Sequence, residues 1–166
     1  SHRAMTNPAV ILLGSNLGER HAWLAQARAE LSVLGNLTRQ SSIYETAAWG
    51  LHDQPAFLNQ VVVMEATHTP PQWLEALLEI EKKLGRTRAQ RWAARIIDMD
   101  LLYVGDHILQ TERLTLPHPR LHERRFTLAP LAEVLPDFIH PVLHQTSVAL
   151  LRQCADALPV TKTTLR

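Results

Sequence analysis

Two aspartates one residue apart, Asp98 and Asp100, lie inside the segment "RWAARIIDMDLLYVG". In a β-strand successive side chains point to opposite faces, so both carboxylates would share one face. The other face would carry Ile97, Met99, Leu101 and Tyr103. The two Cα atoms would lie roughly 6.5–7 Å apart, which lets the carboxylates hold one metal ion or bridge two. Carboxylate oxygens are ligands that magnesium prefers.

Apolar residues follow the two aspartates along the same strand. By the two-residue period, Leu102 and Val104 continue the aspartate face, which therefore borders buried surface. An unpaired charge there costs several kcal/mol, so these carboxylates need cations. The alternative is a strand face that is simply solvated.

A basic segment, "RTRAQRWAAR", stands just before this strand. It supplies Arg86, Arg88, Arg91 and Arg95 and contains no acidic residue. Guanidinium groups bind phosphate oxygens in pairs, and magnesium bridges the same oxygens, so the two groups together indicate a polyphosphate such as a nucleotide. The alternatives are a solvated basic loop or a patch for a nucleic-acid backbone. The chain has neither a Walker loop nor a Gly-rich kinase or dinucleotide motif, so arginines and metal must handle the phosphates.

Length and composition limit the class of protein. The chain has 166 residues, 46% of them hydrophobic, which suits one domain over residues 1–166. Its formal net charge of +1 means that the whole molecule has no strong electrostatic field. The first four residues read as an expression remnant. A single cysteine, Cys154, fits a reducing compartment, and no apolar run is long enough for a membrane span. We expect a cytoplasmic monomer with small-molecule substrates and no nucleic-acid or membrane partner.

The chain alternates between strand and helix signals. Strands are predicted at 9–15, 37–46, 56–67 and 94–105, and helices at 16–35, 69–85, 128–134 and 147–157. Thr69 is the expected cap of the second helix and Gly85 its end. Two β-α-β units predict an α+β fold, a ferredoxin-like α/β sandwich whose helices cover one face of a mostly antiparallel sheet.

Four segments together resemble a known family, the 6-hydroxymethyl-7,8-dihydropterin pyrophosphokinases of folate biosynthesis. They are "LLGSNLGER", "QPAFLNQVVV", "RWAARIIDMDLLYVG" and "TERLTLPHPRLHERRFTLAPLAEVLP", and they occur in the family's order. The resemblance implies that ATP gives its β,γ-pyrophosphoryl group to the pterin hydroxymethyl oxygen and leaves as AMP. It also implies that Asp98 and Asp100 hold two Mg²⁺ ions.

The resemblance extends to the residues that would contact ATP. Arg86 and Arg95 match arginines that stabilise the transferring group, whereas Arg88, Arg91 and Trp92 match a loop that closes over the substrates. Leu101 belongs to the same expected ATP site. Triphosphate and ribose contacts are implied for Arg113, Thr115 and His118.

The pterin site is expected on the segments around Asn59. Phe57 and Asn59 share a strand face by the two-residue period, so an aromatic ring and an amide can contact the same flat ligand. By resemblance, Phe57 and Phe126 stack on the pterin and Asn59 reads its edge. The remaining pterin contacts implied are Thr46, Trp49, Gly50 and Trp92. The alternative for the two phenylalanines is an ordinary core position.

This chain departs from the family pattern before Gly50. The family shows Thr-Pro-Pro where this chain has Thr46 followed by Ala47 and Ala48, and Trp49 replaces a small residue. The loss of two fixed φ angles predicts a more mobile empty pterin loop.

Parts of the sequence are also compatible with three other functions. His118 with His122, and His140 with His144, have the four-residue spacing of zinc ligands, but Pro-interrupted surroundings and the lack of partner cysteines argue against zinc. A ferredoxin-like nucleic-acid module would use the basic loop, although the aromatic strand pattern of RNA binders is missing. A metal-dependent glycosyltransferase could also use the aspartate pair.

Overall fold

The computed structural model describes residues 8–16, 18–46, 56–65, 67–86 and 96–163, without the Arg86 side chain. The main sheet contains β1 (Ala9–Ser15), β2 (Leu37–Gln40), β3 (Tyr44–Thr46), β4 (Phe57–Met64), β5 (Asp98–Val104) and β8 (Val160–Lys162). A separate hairpin consists of β6 (Leu109–Gln110) and β7 (Thr115–Leu116). The helices are α1 (Arg20–Leu34), α2 (Pro70–Arg86), α3 (Arg125–Val134) and α4 (Ser147–Gln153).

Five of the six strands of the main sheet pair in the order β5-β1-β4-β3-β8, and each of these pairings is antiparallel. β2 also pairs with β4, farther along the strand than β3 does. The predicted strand 37–46 is therefore broken into two pieces that follow the same edge of β4. The predicted mostly antiparallel α+β architecture is confirmed.

The central strand β4 separates two hydrophobic cores because its side chains alternate. Leu58, Val62 and Met64 pack with α1 and α2, among residues such as Leu24, Trp73 and Leu77. Val61 and Val63 pack instead with α3 and α4, through Leu128, Leu131 and Leu150. The helices thus cover both faces of the sheet, which corrects the expectation that they lie on one face. The second face is covered because β4 is apolar on both of its sides.

A β-bulge in β5 changes which of its residues share a face. Val10 of β1 lies opposite Tyr103 and Ile11 lies opposite Leu101, so Leu102 is an extra residue on β5. The strict alternation therefore fails after Leu102. Tyr103 joins the core of the aspartate face, and Val104 joins the core on the other face, the reverse of the prediction.

The ends of two helices differ in detail from the prediction. Thr69 caps α2 as expected, since its Oγ1 accepts from Gln72 N at 3.3 Å while Gln72 Oε1 accepts from Thr69 N at 2.9 Å. Gly85 does not end that helix, which continues to Arg86. α4 ends at Gln153 rather than at residue 157, because the following residues turn back to form β8 beside β3. Within the described residues, no helix combines the length and hydropathy needed to span a bilayer.

Candidate active site

Three residues form a row across the sheet. Gly14 of β1 lies directly opposite Asp98 of β5 on one side and directly opposite Asn59 of β4 on the other. Directly paired residues in antiparallel strands point to the same face, so the predicted metal ligand and the predicted pterin-reading amide share a face. Neighbouring strands lie about 4.8 Å apart, which places the backbones of Asp98 and Asn59 about 10 Å apart.

Asp100 extends this face along β5. It lies opposite Leu12, and both aspartates are half-buried. Between them, Met99 N points to the open edge of β5 and donates to Glu81 of α2, with 2.6 Å between Met99 N and the carboxylate oxygen. At the start of the strand, Ser15 Oγ donates to Ile96 O at 2.7 Å. These two bonds tie the aspartate strand to α2 and to β1.

The aspartate pair fits magnesium in its chemistry. Carboxylate oxygens from one or two residues, completed by phosphate oxygens and water, are the usual protein environment of Mg²⁺ in phosphoryl-transfer enzymes. In the part of the chain that the structure describes, no group of three or more His, Cys, Asp or Glu side chains is arranged to hold a metal ion. A metal at Asp98 and Asp100 would take its remaining oxygens from water and from the substrate.

His118 lies near Asp100. Its backbone N donates to Leu102 O at 3.0 Å, which fastens the residue to β5. Its Nδ1 accepts from Arg120 N at 3.2 Å, so the neutral ring carries its proton on Nε2. Burial lowers the pKa of His118, the Asp100 carboxylate opposes that shift, and Arg124 and Arg120 add to it. The ring is therefore a neutral Nε2–H donor near pH 7.

A cleft of about 420 Å³ separates α2 from the β6–β7 hairpin. Pro71, Leu74 and Leu114 supply apolar lining. At its rim, Arg113 Nη1 forms an ion pair with a Glu75 carboxylate oxygen at 2.8 Å, and more than half of each side chain is exposed. Thr115 stands next to this lining as the first residue of β7, half-buried and paired with Gln110.

Four of the predicted pterin residues lie within the described part of the chain, on the aspartate face. Phe57 lies opposite Thr46, and its side chain is 37% exposed although it stands on a strand. The Thr46 hydroxyl is buried and has no hydrogen-bond partner within the described residues. Asn59 is buried, with its Nδ2 donating to Leu13 O at 3.3 Å. Phe126, at the start of α3, is half-buried, with the Arg124 guanidinium carbon 5.6 Å from its ring centre.

Several predicted site residues are not part of this face. Leu101 is buried in the core on the opposite side of the sheet, so its side chain does not accompany the aspartates. Arg86 is the last residue of α2, and its side chain lies outside the described residues. The other predicted residues outside them are Arg88, Arg91, Trp92, Arg95, Trp49 and Gly50.

The family model of 7,8-dihydro-6-hydroxymethylpterin-pyrophosphokinase (HPPK) matches residues 10–136, which is more than half of the chain. The chain belongs to this family. It is therefore an enzyme of the pyrophosphokinase class, and the family's reaction transfers pyrophosphate to hydroxymethyldihydropterin in folate biosynthesis, with ATP as co-substrate. Family membership favours this activity over the nucleic-acid-binding and glycosyltransferase readings.

Two curated relatives agree with the family match. The 2-amino-4-hydroxy-6-hydroxymethyldihydropteridine pyrophosphokinase of Synechocystis is 40% identical, over 92% of this chain and 80% of the relative. The Bacillus subtilis protein of the same name is 46% identical, over 78% of this chain and 79% of the relative. Among solved structures, wild-type Plasmodium falciparum HPPK-DHPS superposes with a TM-score of 0.71 at 17% identity. That match covers 92% of this chain and 45% of the solved chain, and it supports the fold of the pyrophosphokinase.

Sequence reasoning missed two features of the pyrophosphokinase site. Gly14 lies between the carboxylate and the amide, and a glycine inside an apolar strand was an available signal of close approach. Glu81 supports β5 from α2, but nothing in the spacing of α2 distinguishes it from other polar residues of that helix. The partner of a side chain from another element is decided only by packing.

Proposed function

We propose that the reacting groups of the two substrates meet on the sheet face that carries Asp98, Gly14 and Asn59. The proposal rests on the row formed by these three residues. A pterin held at Asn59 would have the Asp98 carboxylate two strands away, on the far side of Gly14. A separation of about 10 Å between the outer two backbones leaves room for a pterin substituent and a phosphate chain between the side chains.

In the proposed reaction, the hydroxymethyl oxygen attacks the β-phosphorus of ATP. The new bond joins that oxygen to the β-phosphorus, and the bond between the β-phosphorus and the α,β-bridging oxygen breaks. The bridging oxygen leaves with AMP, and the hydroxyl proton passes to solvent. The products are the pterin diphosphate and AMP. Catalysis then depends on placing the two substrates in line and on stabilising charge.

Asp98 and Asp100 are the proposed magnesium ligands, and the family resemblance implies two ions. When bound, Mg²⁺ would neutralise phosphate charge and lower the pKa of a coordinated hydroxyl. The two carboxylates are held by a strand that is fastened to β1 and α2, so they keep their spacing before substrates arrive. Arg86 and Arg95 are proposed to stabilise the charge of the transferring group.

The cleft beside α2 is the proposed place of the nucleoside. Its volume falls within the range of small-ligand pockets, and apolar residues line it. Arg113 would exchange its exposed ion pair with Glu75 for an ATP oxygen, which costs little because exposed pairs contribute about 0–1 kcal/mol. His118 would donate from Nε2, and Thr115 would complete the contact. The ATP contacts of Leu101, Arg88, Arg91 and Trp92 remain predictions.

The pterin is proposed to lie at the Thr46 end of the face. The 37% exposed Phe57 offers a ring, Asn59 offers an amide, and Thr46 offers a buried hydroxyl that a ligand could satisfy. Phe126 would form the second wall, with Trp49, Gly50 and Trp92 as the remaining predicted contacts. We also propose that the enzyme acts as a monomer in the cytoplasm.

One assay tests the proposed function. The protein is mixed with MgATP and 6-hydroxymethyl-7,8-dihydropterin, and the nucleotide products are separated. AMP formed in equal amount to the pterin diphosphate is the expected result, and omission of magnesium should abolish it. Formation of ADP, or AMP release that does not depend on the pterin, would contradict the proposal.

A further inference from the structure

The break between β2 and β3 contains a chain of polar contacts that crosses the sheet. At this break, Ser41 N donates to Val61 O at 2.9 Å, and Ser41 Oγ accepts from Val61 N at 3.0 Å. The serine hydroxyl thus takes the place of a backbone carbonyl in the pairing with β4. The strand is interrupted here without leaving this amide of the central strand unsatisfied.

One side of this chain reaches α1. Gln60 is fully buried beneath the break, and its Nε2 donates to Ser41 O at 2.7 Å. Its Oε1 accepts from Arg28 Nη1 at 2.8 Å. Burial lowers the pKa of Arg28. The break is therefore held from the side of the sheet that carries α1.

The other side reaches the last turn of α3. The Glu133 carboxylate accepts three hydrogen bonds, from Ser42 N at 3.1 Å, Ser42 Oγ at 2.9 Å and Tyr44 Oη at 2.8 Å. Partial desolvation would raise the pKa of Glu133, but the bonds from Tyr44 and Ser42 and the charge of Lys162 outweigh it, and its pKa is lowered. Glu133 is therefore an ionised acceptor near neutral pH, and hydrogen bonds to charged acceptors are the stronger kind.

These contacts bear on the proposed pterin site. Tyr44 lies directly opposite Asn59, and β3 ends two residues later at Thr46, opposite Phe57. α3 begins with Arg125 followed by Phe126, so one helix carries a proposed pterin wall at its start and Glu133 at its end. The seven positions from Phe126 to Glu133 span about 10 Å of helix. Fixing Glu133 to β3 therefore sets the position of Phe126 relative to Phe57 and Asn59.

We propose that Glu133, through its bonds to Tyr44 and Ser42, is a positioning residue that sets the geometry of the pterin slot. This inference rests on the proposed function. Glu133 does not contact the reacting atoms in this proposal. It acts by holding α3 against β3, which keeps the ring of Phe126 and the amide of Asn59 at a spacing suited to a flat ligand.

The test compares Michaelis constants of Glu133→Ala and Glu133→Gln with those of the wild type. Loss of hydrogen bonds to a charged acceptor predicts that Glu133→Ala raises KM for hydroxymethyldihydropterin about tenfold, whereas KM for ATP stays within about twofold. Glu133→Gln retains an acceptor oxygen and should recover most of the pterin affinity. Tyr44→Phe removes one hydroxyl only and should raise the pterin KM about threefold or more. Glu79→Ala, on the exposed side of α2, is the matched control and should change neither constant.

Two results would overturn the inference. One is a pterin KM within twofold of wild type in both Glu133→Ala and Tyr44→Phe. The other is an equal rise of both Michaelis constants together with a lower unfolding midpoint, since that pattern describes a general loss of structure. Wild-type enzyme that releases no pterin-dependent AMP would contradict the proposed function itself, so the two failures are distinguishable.

Discussion

Gly14 and Asn59 lie directly opposite each other in neighbouring strands, and a Cβ added to Gly14 would be 2.8 Å from Asn59 Nδ2. The amide of Asn59 thus occupies the space that any larger residue at position 14 would need. In this position its Nδ2 donates to Leu13 O.

Gly14→Ala should therefore weaken pterin binding. The new methyl group forces the amide of Asn59 to rotate, and a misplaced buried amide loses hydrogen bonds worth about 1–2 kcal/mol. We expect KM for the pterin to rise about tenfold. Gly35→Ala is the control, because its Cβ would meet Thr67 Oγ1 at an ordinary 3.5 Å. Steady-state kinetics with varied pterin measures the effect, and an unchanged KM in Gly14→Ala would contradict this account of the site.

Asp100→Asn should abolish most of the turnover and leave the fold intact. The amide keeps the shape of the carboxylate but removes the charge of a metal ligand, and metal charge stabilisation is worth several kcal/mol. We expect AMP formation to fall at least about a hundredfold, since each 1.36 kcal/mol is tenfold in rate. Asp106→Asn, in the exposed turn after β5, is the control. Near-normal turnover in Asp100→Asn would mean that Asp100 does not bind the metal.

Titration of His140 should make the protein less stable as the pH is lowered from about 6.5 to 4. Its Nδ1 accepts from Val142 N at 3.2 Å and Leu143 N at 3.0 Å, and burial together with nearby His122 and His144 lowers its pKa to about 4. The unfolded chain has a histidine pKa of about 6.5, so the unfolded state binds more protons between pH 6.5 and 4. This contribution is complete above pH 6.5 and is lost as the pH falls towards 4.

The measurement is urea unfolding at pH 7 and pH 5, with His140→Asn for comparison. Asparagine places an uncharged acceptor oxygen near the position of Nδ1 and removes the titration, while the lost ring contact with Tyr103 affects stability equally at both pH values. The wild type should lose about 1–2 kcal/mol more than this variant between the two pH values. Equal losses in the two proteins would show that folding does not lower the pKa of His140.

His144 should tolerate glycine better than a branched residue. Its φ angle of 59° lies in the left-handed region, where a side chain is strained and a β-branched one is strained most. We expect His144→Gly to be as stable as the wild type or up to about 1 kcal/mol more stable. His144→Val should be less stable by more than about 1 kcal/mol. The free energy of unfolding at pH 7 measures both effects. A valine variant more stable than the wild type would contradict the assigned backbone conformation.

Residue types and spacing were enough to predict that the two aspartates share a strand face and where most of the elements lie. Alternation with period two placed Asp98 and Asp100 together, and the apolar run of β1 predicted its bounds, 9–15, correctly. The same rule was wrong for Tyr103 and Val104 because the extra residue in β5 is visible only in the pairing with β1. A bulge depends on two strands, and one strand's sequence does not contain it.

Local sequence therefore determined which side chains are available and which neighbours share a face, because alternation and capping act over a few residues. Tertiary structure alone decided that Gly14 stands between Asp98 and Asn59, that Glu133 reaches Tyr44, and that helices cover both sides of the sheet. These relationships join residues between 45 and 89 positions apart in the chain. They follow from strand register and helix packing, which are set by burying two separate apolar surfaces at once.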